Sequence, residues 1–93
     1  MTLSEMSDEL RAQYNIDASV EGVVVTAVEP GSAAADQKIK AGDVIVEVAQ
    51  EQVRTPFDVA ERIEQAQLQG QKAVLVRIEG RRGEVRFEAL TVQ

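Results

Sequence analysis

The sequence predicts one small α+β domain, mainly β: a partly open β-barrel or sandwich of five to six short strands, capped by one main helix and one or two short helices. Three observations predict it. Ninety-three residues at 44% hydrophobic supply one core and leave no room for a second domain. Runs rich in β-branched residues recur between glycine and proline turn signals. A single stretch, residues 55 to 68, carries the full chemistry of a helix start followed by helical apolar spacing. Layers of this kind, several strands against few helices, define a capped sheet rather than a bundle.

Each element follows in order. Met1 to Met6 alternates loosely, with Met1 and Leu3 against Thr2 and Ser4, and reads as a short strand. Ser7 then offers an N-cap with Asp8 and Glu9 in the first turn, and Leu10 with Tyr14 supplies an i,i+4 apolar pair, so a short helix spans about 8–14. Gly22 precedes the run Val23 to Val28, which stops at Glu29-Pro30-Gly31. Ser32 caps one helical turn through Ala33, Ala34 and Ala35, and Gly42-Asp43 turns into the strand Val44 to Val48. Thr55 at N-cap, Pro56 at N1 and Asp58 at N3 open the main helix, 56–68, whose inward stripe is Val59, Ile63 and Ala66. Gly70 closes it. The strands 73–78 and 84–90 pair across Gly80-Arg81-Arg82-Gly83, a four-residue hairpin loop.

Composition removes most chemistries. With no cysteine and no histidine there is no disulfide, no thiolate, no Ser-His-Asp relay and no common transition-metal ligand set, so no metal, cofactor or catalytic residue is assigned. Serines and lysines are better read as caps and surface charge than as a Ser-Lys dyad. Residues 1–70 hold 13 acids and 5 bases, residues 71–93 hold 3 and 5, for a net charge of −6. Nucleic acid is therefore not expected: only Arg81, Arg82 and Arg86 cluster, with one aromatic, Phe87, nearby. No apolar run reaches the roughly 18–20 residues of a bilayer span, so direct membrane insertion is not expected either.

An edge remains. The first strand carries neither lysine nor proline to blunt it, and a protein must cover such an edge or use it. If the main helix packs beside it, the gap is a slot one peptide wide, suited to strand addition. The same spacing is equally compatible with strand and helix packing shut.

The segments Val24 to Ala34, Ile39 to Val48 and Val53-Arg54-Thr55-Pro56, with their Pro-Gly-Ser-x-Ala-Ala and Gly-Asp-Val-Ile signatures, resemble a PDZ domain. More narrowly they resemble the PDZ domains of the HtrA (Do-like, DegP-like) periplasmic serine proteases, and Met1 to Arg11 resembles that family's opening strand and short helix. The resemblance implies a PDZ-like fold over residues 1–93, and an edge strand formed by Met1, Thr2, Leu3 and Ser4 to which a peptide adds. It implies an opposite wall from Pro56, Ala60, Ile63 and Glu64, with Val59 in the core and Ile63 shared between core and groove floor. It implies a non-catalytic module that recognises hydrophobic C-termini or extended segments of unfolded proteins, at about micromolar affinity. The module would serve substrate recognition and regulation of a periplasmic serine endopeptidase, as that protein's second, C-terminal PDZ domain. The parent's protease domain, outside this chain, is the implied second partner; the alternative is an inter-subunit module that controls oligomerisation.

Three departures from the family pattern carry expectations. Lys38 stands where the family has glycine, so a non-glycine residue is expected at positive φ. Ala49-Gln50 replaces Asn-Gly, so that hairpin is expected to be looser or of another type. The carboxylate-binding loop is expected just before Met1, so that the chain begins at or inside it.

Overall fold

The computed structural model describes residues 1–92. Its elements are β1 (Thr2–Glu5), α1 (Asp8–Tyr14), β2 (Val23–Ala27), α2 (Ala33–Asp36), β3 (Val44–Val48), β4 (Glu51–Gln52), α3 (Pro56–Leu68), β5 (Ala73–Glu79) and β6 (Val85–Thr91). All strand pairs are antiparallel, in the order β1-β2-β3-β5-β6, with β4 attached to the end of β3. The sheet has six strands and stays open, not a closed barrel: β1 and β6 are its two edges.

The caps form where local chemistry demands them. Ser7 and Ser32 accept from the amides of Leu10 and Ala35, and Asn15 ends α1 in the left-handed region at φ 56°. Thr55 Oγ1 accepts from the Asp58 amide (3.1 Å) while Asp58 Oδ2 accepts from the Thr55 amide (3.2 Å), a closed capping box with Pro56 behind it.

Two apolar layers sandwich the middle of the sheet. Val23, Val25, Ile45, Val48, Val76 and Ile78 face α2 and α3 and bury Ala34, Val59 and Ala66 of those helices. Val24 and Val44 face the other way, onto Ile16, Val20 and the Leu10 and Tyr14 side of α1. That two-sided cover is why β2 and β3 read as unbroken β-branched runs without alternation: a strand buried on both faces has no polar side to show.

Two local expectations change. The Ala49-Gln50 hairpin is not loose: Val48 pairs with Glu51 and both loop residues are left-handed, at φ 52° and 66°, the mark of a primed two-residue turn. Buried Val48 and Val53 on either side hold the register and offset the cost of two L-residues in that region. The strand this turn creates, β4, has two exposed polar residues and no hydrophobic signal. The second hairpin is also tighter than expected. The Gly80 amide donates to the Glu84 carbonyl (2.8 Å), the Gly83 amide closes onto the Gly80 carbonyl (2.9 Å), and Gly83 sits at φ 87°. This is a three-residue loop ending in a left-handed glycine, so β6 starts at Val85 rather than Glu84.

Lys38 does adopt positive φ, 62°. Arg86 secures that turn by donating to the Lys38 carbonyl (2.9 Å) and to Oδ2 of Asp43 (3.3 Å), itself only 3% exposed, which also accepts from the Lys40 amide (3.1 Å). Arg86 thus belongs to a structural ion pair and leaves only Arg81 and Arg82 at the hairpin tip.

Candidate functional site

A groove of about 330 Å³ runs between β1 and α3. One wall is β1, whose pleat sends Met1 and Leu3 toward the main core while Thr2 and Ser4 point away. The other wall is α3, where Pro56, Ala60 and Ile63, at i, i+4 and i+7, share a stripe. Val59, 2% exposed, forms the floor beneath them, and Ile63 both packs on the core and meets the groove. No ionisable side chain lines the groove among the described residues.

Beyond its ladder with β2, β1 makes no main-chain hydrogen bond to another element among the described residues; the Thr2 carbonyl also accepts from the Thr26 hydroxyl of β2 (3.2 Å). A bulge at Thr26 shifts the register between Thr2 and Leu3. The strand's outer edge therefore runs along an apolar trench with its main-chain groups facing outward, an arrangement suited to accepting one further antiparallel strand.

The family model for the PDZ domain matches residues 24–78, more than half of the chain. This chain belongs to the PDZ domain family. Relatives extend the match: it is 44% identical over 72 residues to a "Probable periplasmic serine endoprotease DegP-like" of Brucella suis biovar 1, and 40% identical over 76 residues to one of the same name from Bartonella henselae. In both cases 77% of this chain is covered but only 14% and 15% of the relative, so the chain spans about one-seventh of their length. Among solved structures it superposes on an HtrA3 PDZ domain bound to a phage-derived ligand, FGRWV, with a TM-score of 0.74 at 24% identity, covering 98% of this chain and 80% of that one.

In this PDZ domain the sequence-assigned site residues divide. Met1, Leu3, Pro56, Ala60 and Ile63 come together in the groove. Thr2 and Ser4 belong to the same edge but contribute main chain, since their side chains face the other side of the sheet, where Ser4 Oγ donates to the Glu5 carbonyl (3.3 Å). Glu64 is exposed and outside the lining, although it follows Ala60 by one turn on the same side of α3. The sequence reading missed the end wall, made by Ser32, Ala33 and Ala34 of α2 with Leu90 and Thr91 of β6. The alanine triplet was the one available hint, since small side chains let a groove stay open.

The α3 start also tunes a charge. The Arg54 amide donates to Asp58 Oδ2 (3.0 Å), and with the Thr55 bonds it holds the Asp58 carboxyl below the usual aspartate range. Asp17 is lowered in the same way by the Ser19 amide and hydroxyl (both 2.8 Å). Neither group lines the groove. No cluster of three or more metal-ligating side chains occurs among the described residues.

Proposed function

We propose that this PDZ domain is a non-catalytic peptide-binding module that captures hydrophobic C-termini or extended segments of unfolded proteins by adding them as a strand to β1. The carrying observation is the unpaired outer edge of β1 beside an apolar groove. Main-chain bonds to Met1 through Ser4 supply affinity, and the Met1, Leu3, Ala60 and Ile63 surfaces select apolar side chains. The terminal residue of the ligand lies at the Met1 end and the chain runs antiparallel to β1. Named relatives that are periplasmic serine endoproteases, and a structural neighbour whose ligand ends in tryptophan and valine, support substrate recognition for a protease of that type in the periplasm.

Calorimetric titration with peptides ending in valine, and with the same peptides ending in aspartate, tests the reading. Binding near micromolar for the first and none for the second is expected. No binding of the valine peptides below about 1 mM overturns it. A second reading, assembly of protease subunits, is favoured by one observation: Leu75, Val85 and Phe87 lie exposed on the outer face of β5 and β6. Loss of the parent oligomer on Phe87→Asp, with peptide binding intact, would add that role.

A further inference from the structure

A second cavity lies further along the same strand. Strand alternation puts Met1, Leu3 and Glu5 in one row along β1, and where the first two meet the groove, Glu5 lines this second cavity of about 270 Å³. The opposite wall changes in step. Pro56, Ala60 and Ile63 stand over the apolar half, whereas Gln52 and Arg54, which lead into α3, line the second cavity together with Met6, Glu21 and Gly22.

The charges there are only partly committed. Glu21 Oε1 pairs with Arg11 at 2.9 Å, while Glu5 and Arg54 line the same cavity yet form no ion pair with each other or with another side chain among the described residues. With Glu21 held by Arg11, the uncommitted charges lining the cavity are Glu5 on the strand and Arg54 on the opposite wall, in a chain of net charge −6.

We propose that this second cavity is a subsite for a basic side chain, lysine or arginine, carried by the bound peptide four residues before its C-terminal residue, an inference that rests on strand addition to β1. Directly opposite residues of an antiparallel pair project to the same face. A ligand residue opposite Met1 therefore seats its side chain in the apolar groove, and the residue four positions earlier lies opposite Glu5 and projects into the charged cavity. The separation is about 14 Å of extended chain. The domain thereby reads a two-part pattern, an apolar terminus and an upstream cation, in place of an apolar terminus alone.

The test uses N-acetylated heptapeptides ending in valine that differ only in carrying lysine, alanine or glutamate four residues before the terminus. Titrated against the wild-type protein at low salt, the lysine peptide is expected to bind about two- to fivefold tighter than the alanine peptide, the scale of an exposed ion pair, and the glutamate peptide weaker than both. Salt at about 0.5 M should erase most of the difference. Glu5→Gln should bring the lysine and alanine peptides together. Equal binding of all three peptides, tighter binding of the glutamate peptide, or a lysine preference that survives Glu5→Gln combined with Glu21→Gln overturns the subsite while strand addition stands. Failure of the alanine peptide itself to bind overturns strand addition, and the subsite with it.

Discussion

Two arginine substitutions one helical turn apart on α3 test how far the groove extends along the helix. Ala60 lines the groove and Glu64 does not. Ala60→Arg sends a long charged chain across a trench of about 330 Å³, displacing one apolar ligand side chain and placing an unpaired cation against Leu3 and Ile63. Burying one such anchor contributes about 1.5–3 kcal/mol. At about 1.4 kcal/mol per factor of ten, affinity for a valine-ended peptide should fall roughly 10- to 150-fold. Folding should barely notice, because Ala60 is exposed and arginine is nearly as good a helix former as alanine. A cost of about 0.3 kcal/mol corresponds to a melting shift of about 1–2 °C in a domain of this size. Glu64→Arg changes charge by two units beyond the groove lining and should leave affinity within about twofold, as expected for an exposed charge outside the contact. Calorimetry and thermal melts on the three proteins decide. Wild-type affinity in a fully folded Ala60→Arg protein, or an equal loss in both variants, refutes the placement of the groove.

The left-handed turn at Ala49 and Gln50 is strained: Ala49→Asn combined with Gln50→Gly should relieve about 1 kcal/mol net and raise the melting temperature by about 4–8 °C, whereas an unchanged or lower value contradicts a primed turn. A Cβ at Gly22 would lie 2.4 Å from the Ile45 carbonyl oxygen, so Gly22→Ala should cost roughly 1–3 kcal/mol in urea unfolding, with no loss meaning that the backbones stand further apart. The Asp58 carboxyl titrates lower in the folded than in the unfolded chain, so its stabilisation is full above the unfolded value, near pH 4, and drains away as pH falls through the folded one. Asp58→Asn should therefore flatten the acid limb of a stability-versus-pH curve below about pH 4, and an unaltered limb would remove Asp58 as a contributor.

Chemistry confined to a few neighbouring residues is legible in one dimension. Ser7, Ser32 and Thr55 announce their helices because a cap is satisfied within three residues. The β-branched runs announce β2, β3, β5 and β6, and the Lys38 position announces a left-handed backbone through its family pattern. Exposed β4 could not be read this way, because nothing about Glu51 and Gln52 is hydrophobic; the pairing is imposed by buried Val48 and Val53 beside them. The groove divides along the same line. Its long walls follow from the family resemblance, which implies Met1 to Ser4 on one side and Pro56, Ala60, Ile63 and Glu64 on the other, whereas helical period by itself marks Val59, Ile63 and Ala66 as the inward stripe. That Glu64 stays out of the groove lining, that Ser32 to Ala34 and Leu90 close the end, and that Glu5 and Arg54 line a common second cavity depend on how elements far apart in the chain come to rest against each other. Side-chain periodicity says which residues share a face; only packing says which faces meet.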